Sequence, residues 1–398
     1  MLISRIPSRA NPRRASSDSI RRLADIFRIS GGSSDSRGPL LARPVRFRQT
    51  SENGRPPRTP PAIALLCVLA ATTAVADDPP ARLAERIKGI DAGTSVNIGI
   101  HVRQLAGDKQ VDHNTDQPWY LASTIKVPLA VAVLQRAESG DVEVSKEIEL
   151  RETDWVDGTG ELLYADPGSE HTIEELIGHS LRDSDSTATD MLIRYLGEDS
   201  FNDQISEQMV SDGFGPITTI LGVRYDAWSE VHADATELTN MDFIEFKTVT
   251  SSQRYDMLLD KLDIEPDEAD AKSMEEGFER YYERGRNTGD LRAFADLLER
   301  LVRGRLLDES HTDAIIEHML SISTGDERIK AGLPPKTPFA QKTGTQVSRA
   351  CNVGVIHPRD PERATVVTAC VSGFDDIAEA QEAFRLLGEA LGQTGFAD

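Results

Sequence analysis

Ala122-Ser123-Thr124-Ile125-Lys126-Val127-Pro128-Leu129-Ala130-Val131-Ala132-Val133-Leu134 is apolar along most of its length, yet a lysine sits inside it. The run from Ser123 to Ala137 predicts a helix apolar nearly all round, hence central and buried. Pro128 falls early in it, where proline is best tolerated. A charge in such a helix is costly unless it is used. Ser123 lies three positions before Lys126, so the two side chains share a face. Burial lowers a lysine's pKa, and a neutral amine can take a serine's proton. The pattern predicts a serine nucleophile with its own base.

Two further motifs follow in order. Ser184-Asp185-Ser186 precedes a helix predicted over 187–196. On its own it is an ordinary N-cap; beside a nucleophile, Ser184 is a proton carrier. Lys342-Thr343-Gly344-Thr345 ends a strand-like run, where a glycine lets a substrate lie along the backbone. A Ser-x-x-Lys alone arises by chance about once in a chain of this length. The three together describe an enzyme working through an acyl-serine intermediate.

The chain has 398 residues, and its first 60 hold thirteen Arg, no Lys and four acidic residues among many Ser, Pro and Gly. Such a composition buries no core, so 1–54 is expected to be disordered or to precede the true start of translation. Arg55 and Arg58 precede an apolar run at 62–71, which closes on Ala74-Val75-Ala76. That is the pattern of a secretory leader over 55–76, cleaved after Ala76, and it implies a periplasmic or secreted protein. The run is too short to span a bilayer. The remaining 77–398 carries 44 − 13 = 31 basic and 66 − 4 = 62 acidic residues, a net charge of −31. This charge excludes nucleic acid and anionic membranes as partners. No spacing of His and Cys suggests zinc, and nothing points to a cofactor.

Periodicity places a helix at 79–92, strands at 94–105 and just after 107–109, and helices at 290–302 and 310–320. Thr172 and Glu175 form a capping box at the start of another helix. The end of the chain returns to strands at 338–343, 351–357 and 364–371, then a helix at 376–391. The expected fold is α+β: an antiparallel sheet built from both termini of 77–398, around a central all-helical subdomain. An acidic insertion occupies about 241–285. Cys351 and Cys370 fall on opposite arms of a hairpin turning near Asp360, where they are either bridged or two separate core thiols.

These motifs, with Asn287-Thr288-Gly289-Asp290-Leu291, resemble those of the class A serine β-lactamases and related penicillin-binding proteins. The resemblance covers most of 77–398. It implies that Ser123 is acylated, Lys126 is its proton partner and Ser184 serves the leaving nitrogen. Ser186, Lys342, Thr343, Gly344 and Thr345 would line the substrate, and the N–H groups of Ser123 and Thr345 would form the oxyanion hole. Arg349 is a further candidate for the substrate carboxylate. Two departures stand out. Ser186 replaces the family's Asn, and the family's Glu-x-x-Leu-Asn is missing. Glu230, in Trp228-Ser229-Glu230 after Arg224 and Asp226, is the preferred deacylation base, and Glu237 is the other candidate.

The implied activity is opening of β-lactam rings. The runner-up is a D-alanyl-D-alanine peptidase acting on peptidoglycan peptides. A non-catalytic binder of such ligands ranks third, because Ser123, Lys126 and Lys342 are all intact. The oligomeric state is left open.

Overall fold

The computed structural model describes residues 78–107 and 109–398. The expectations for 1–54 and for the leader at 55–76 lie outside the described residues.

Helix α1 (Pro79–Gly93) opens the described chain, with proline at its start. Strands β1 (Asn97–Gln104) and β2 (Lys109–His113) follow as an antiparallel hairpin. The end of the chain supplies β3 (Phe339–Gln346), β4 (Arg349–Ile356) and β5 (Thr365–Ser372). The sheet order is β2-β1-β5-β4-β3, antiparallel throughout. The two ends of 78–398 therefore meet at the β1–β5 pair, as the strand pattern predicts. Ile98, Ile100 and Val102 lie opposite Val371, Ala369 and Val367. Alternation puts all six on one face, against Leu83 and Ile87 of α1 and Phe384, Leu387 and Leu391 of the C-terminal helix Ile377–Thr394. Each of the Val, Ile, Leu and Phe side chains among them, fully buried, contributes about 1.5–3 kcal/mol. Cys351 is the register partner of Cys370, and the two are joined by a disulfide. Trp119 and Leu291 pack around that bridge on the opposite face.

The middle of the chain is helical. Helix α2 (Lys126–Glu138) is buried at every position from Lys126 to Leu134. It begins three residues later than the sequence predicts. Ala122–Ile125 is a 3-10 turn instead, entered through Ala122 at φ +47°. Residues three apart eclipse in such a turn, so Ser123 and Lys126 still lie on one side. Thr172 and Glu175 form the predicted capping box of Ile173–Arg182. Helix α3 (Ser186–Leu196) is capped by the Asp185 carboxylate, and α4 (Ile220–Ser229) by Thr219.

The acidic insertion is not a loop. It forms α5 (Asn240–Phe246), α6 (Ser251–Leu262) and α7 (Met274–Glu283). Phe243, Phe246, Leu258, Leu259 and Phe278 pack there with Trp228 of α4. The acidic residues dominate the composition, while the widely spaced apolar ones build the core. Among the described residues no helix is long and apolar enough to cross a membrane.

The disulfide closes a 19-residue separation. Replacing both cysteines by alanine is expected to lower unfolding free energy by about 3 kcal/mol, read from the shift of the urea midpoint. An unchanged midpoint would show that the bridge adds nothing to the hairpin.

Candidate active site

Lys126 is fully buried. Its ammonium donates to the backbone carbonyl of Ser184, to that of Asp185 at 3.3 Å and to Ser184 Oγ at 3.3 Å. Burial lowers its pKa to about 7, while the charges of Asp185 and Asp190 pull the other way. Lys342 is equally buried and donates to the same Ser184 Oγ at 2.9 Å. Its pKa lies well below the ordinary lysine value, because of burial and then the charges of Lys126 and Arg328. One hydroxyl thus bridges two buried amines, and Ser123 lines the cleft in front of them.

Local constraints hold Ser184 in place. Its φ is +55°, a left-handed conformation that a non-glycine residue adopts at a cost of about 1–2 kcal/mol. Asp185 fixes the following turn by accepting from Ala188 N at 2.8 Å and Leu162 N at 2.9 Å. Thr159 donates to the Ser184 carbonyl at 2.6 Å, and Ser186 N donates back to the Thr159 carbonyl at 2.9 Å. This loop needs glycine at 160: a Cβ there would lie 2.1 Å from the Asp185 carboxyl carbon.

β3 brings the third motif alongside. A Cβ at Gly344 would lie 2.6 Å from the Leu121 carbonyl oxygen and 2.9 Å from Ser123 N. The glycine therefore sets how closely the strand approaches the turn that carries Ser123. Arg328 secures the strand from behind. It donates to the Gly344 carbonyl at 3.1 Å, the Cys351 carbonyl at 2.9 Å and Thr345 Oγ1 at 2.6 Å. Thr343 and Thr324 share a hydroxyl–hydroxyl bond of 2.6 Å. The resulting cleft has a volume of about 560 Å³ and is lined by Ser123, Ser184, Ser186, Thr343, Gly344 and Thr345, among others. Lys126 and Lys342 lie behind that lining.

Three residues that the sequence offered for the site do not line the cleft. Glu230 is not on the cleft. Ile220, Val223 and Arg224 are the α4 residues that line it, spaced for one helix face. Asp226 and Glu230, four apart, turn toward another face, where Asp226 pairs with Arg284 and Arg286 and Glu230 pairs with Arg284. Glu237 lies exposed in a 3-10 turn, also off the cleft. Arg349 binds Glu279 at 2.6 Å and stacks on Tyr282, away from the cleft. The arginine that reaches Thr345 is Arg328.

Asp190 is a site residue that none of the sequence motifs marks. It is buried in α3 and accepts from Ile220 N at 2.6 Å and Leu221 N at 2.9 Å. It thereby seats the start of α4, the wall of the cleft. Burial raises its pKa to about 7, opposed by those two N–H groups and by Lys126. The signal was available: an acid among the buried residues of a helix is as costly as Lys126 in α2.

A family model described as the beta-lactamase enzyme family matches residues 82–394. The chain belongs to that family. The OXY-2 β-lactamase of Klebsiella oxytoca is 25% identical over 302 residues, covering 75% of this chain and 84% of the relative. A β-lactamase structure from Sphaerobacter thermophilus superposes with a TM-score of 0.57 at 21% identity, over 79% of this chain and 97% of its own. A point mutant of PBP-A, solved as an acyl-enzyme complex with penicillin G, superposes at 0.59 and 19% identity, over 79% and 95%. The fold is that of the class A-like serine β-lactamases and penicillin-binding proteins. The family's chemistry is hydrolysis of β-lactams through a serine.

Two outcomes test this geometry. Glu230→Gln and Glu237→Gln are expected to turn over a penicillin at close to the parent rate, whereas loss of a general base costs about 10²–10⁴-fold. Gly344→Ala is expected to slow acylation by about 10²-fold with unchanged circular dichroism, because its Cβ separates β3 from the serine turn.

Proposed function

We propose that the chain opens β-lactam amides by acylation of Ser123. Neutral Lys126 accepts the Ser123 proton as Ser123 Oγ attacks the lactam carbonyl carbon. The N–H groups of Ser123 and Thr345 receive the developing oxyanion. Ser184 passes a proton to the lactam nitrogen as the C–N bond breaks, and Lys126 reprotonates Ser184 from the proton it took. Thr343, Thr345 and the Lys342 amine hold the substrate carboxylate, and Ser186 contacts the substrate beside them. Water then attacks the acyl-Ser123 carbonyl, with Lys126 again as proton acceptor. The observation that carries this reading is the Ser184 hydroxyl held between two buried lysines beside Ser123.

The cleft wall favours a second reading. Ile220, Val223 and Arg224 face the cleft from α4, and Glu327 is the one carboxylate among the described cleft residues. Glu327 accepts from Gln381 at the surface. An acyl-enzyme with no carboxylate base beside it persists, as in a D-alanyl-D-alanine peptidase exposed to a penicillin. Secretion to an oxidising compartment is supported by the Cys351–Cys370 disulfide.

Intact-mass spectrometry after penicillin addition separates these readings. The lactamase reading expects a transient adduct on the parent, with free product accumulating, and none on Ser123→Ala. A stable adduct supports the peptidase. An adduct that survives in Ser123→Ala overturns both.

A further inference from the structure

We propose that the cleft holds a second anion-binding subsite, formed by Arg224, Lys247 and Arg254, which takes a negatively charged group on the acyl portion of the substrate. This inference rests on the acyl-serine reading of the same cleft.

Charge is the first observation. Residues 77–398 carry 31 basic and 62 acidic residues. Yet Arg224, Lys247 and Arg254 converge on the cleft wall, and all three also line a small adjoining pocket. Among the described residues of that pocket, Asp157 is the one carboxylate. It pairs with Arg224 through Nε at 2.5 Å, which leaves the group with an excess of two positive charges.

The second observation is Arg224 itself. It is more than nine-tenths buried, and its Nη1 has no hydrogen-bond partner. A buried guanidinium N–H left unpaired is costly, and Arg224 lines both the cleft and the adjoining pocket, the side from which a carboxylate or similar anion would approach it. Arg254 is placed in a related way. Its Nε donates to the Phe246 carbonyl at 3.0 Å and the Val249 carbonyl at 3.1 Å, and Nη2 to the Lys247 carbonyl at 3.5 Å. Backbone oxygens orient the guanidinium without neutralising it. Lys247 caps the end of α5, with its exposed side chain beside the two arginines.

Sequence explains the arrangement. Lys247 and Arg254 come from the acidic insertion, whose core against Trp228 fixes the helices that carry them. The insertion thus adds a cationic wall to a cleft that already has the Arg328 guanidinium behind β3. A substrate anionic at both ends would engage both groups. In a walled cleft of low dielectric, such a field is focused rather than dispersed.

The test compares acylation of Ser123 by benzylpenicillin and by its α-carboxy analogue, which share a skeleton and differ by one carboxylate. The parent is expected to acylate about tenfold or more faster with the carboxylated compound. The preference is expected to shrink as sodium chloride is raised. Lys247→Gln/Arg254→Gln should bring the ratio of the two rates close to one. Lys247→Gln alone, a change at an exposed side chain, should lower it part-way. Equal rates in the parent, or a ratio that the double variant leaves intact, would overturn the subsite while leaving the acyl-serine reading standing. Absence of any adduct with either compound overturns both.

Discussion

The buried amine of Lys126 is the constraint on which the rest of the site depends. A lysine fully enclosed by α2 and its neighbours has lost its water, so its charged form is destabilised and its pKa falls to about 7. What remains to stabilise the proton is a short set of acceptors: the Ser184 and Asp185 carbonyls and the Ser184 hydroxyl. Each acceptor must be delivered to a fixed point. That requirement accounts for the left-handed Ser184, the Asp185 cap and the Thr159 clamp around it. Asp190, one turn further along α3, is buried with the same titration range and adds an opposite charge nearby.

The sheet is the frame that makes this geometry reproducible. Its β3 edge meets the serine turn at Gly344, and the β4–β5 disulfide and Arg328 hold that edge from behind. Lys342 arrives on the same strand, so the second buried amine is set by sheet register rather than by helix position. Two independent parts of the fold therefore converge on one hydroxyl. The insertion helices add a third part, because they carry cations to the lining of the cleft.

Much of this was legible in the sequence, for physical reasons that differ by residue. Lys126 stands out because an apolar helix makes a charge conspicuous. Lys342-Thr343-Gly344 stands out because a strand seldom needs that glycine. The terminal strands follow from plain alternation. The position of Glu230 was not legible, because a tryptophan and an Arg-x-Asp nearby say nothing about which face of α4 the glutamate takes. That face follows from how α4 is seated, and Asp190 seats it from another helix through two backbone N–H groups. The 3-10 turn at Ser123 was hidden for a similar reason: residue spacing is read alike in both helix types, and the left-handed Ala122 that forces the turn leaves no mark on composition. Arg328 and the cationic wall depend on tertiary contacts between distant segments, which no local pattern encodes.

The central claim is that burial makes Lys126 the base, and the pH dependence of Ser123 acylation tests it most directly. The amine accepts a proton only when neutral, and it is neutral above its pKa of about 7. The acylation rate with a penicillin is therefore predicted to rise about tenfold per pH unit below that value and to level off above it. A profile that is flat across that range, or one that falls as pH rises, would contradict the account.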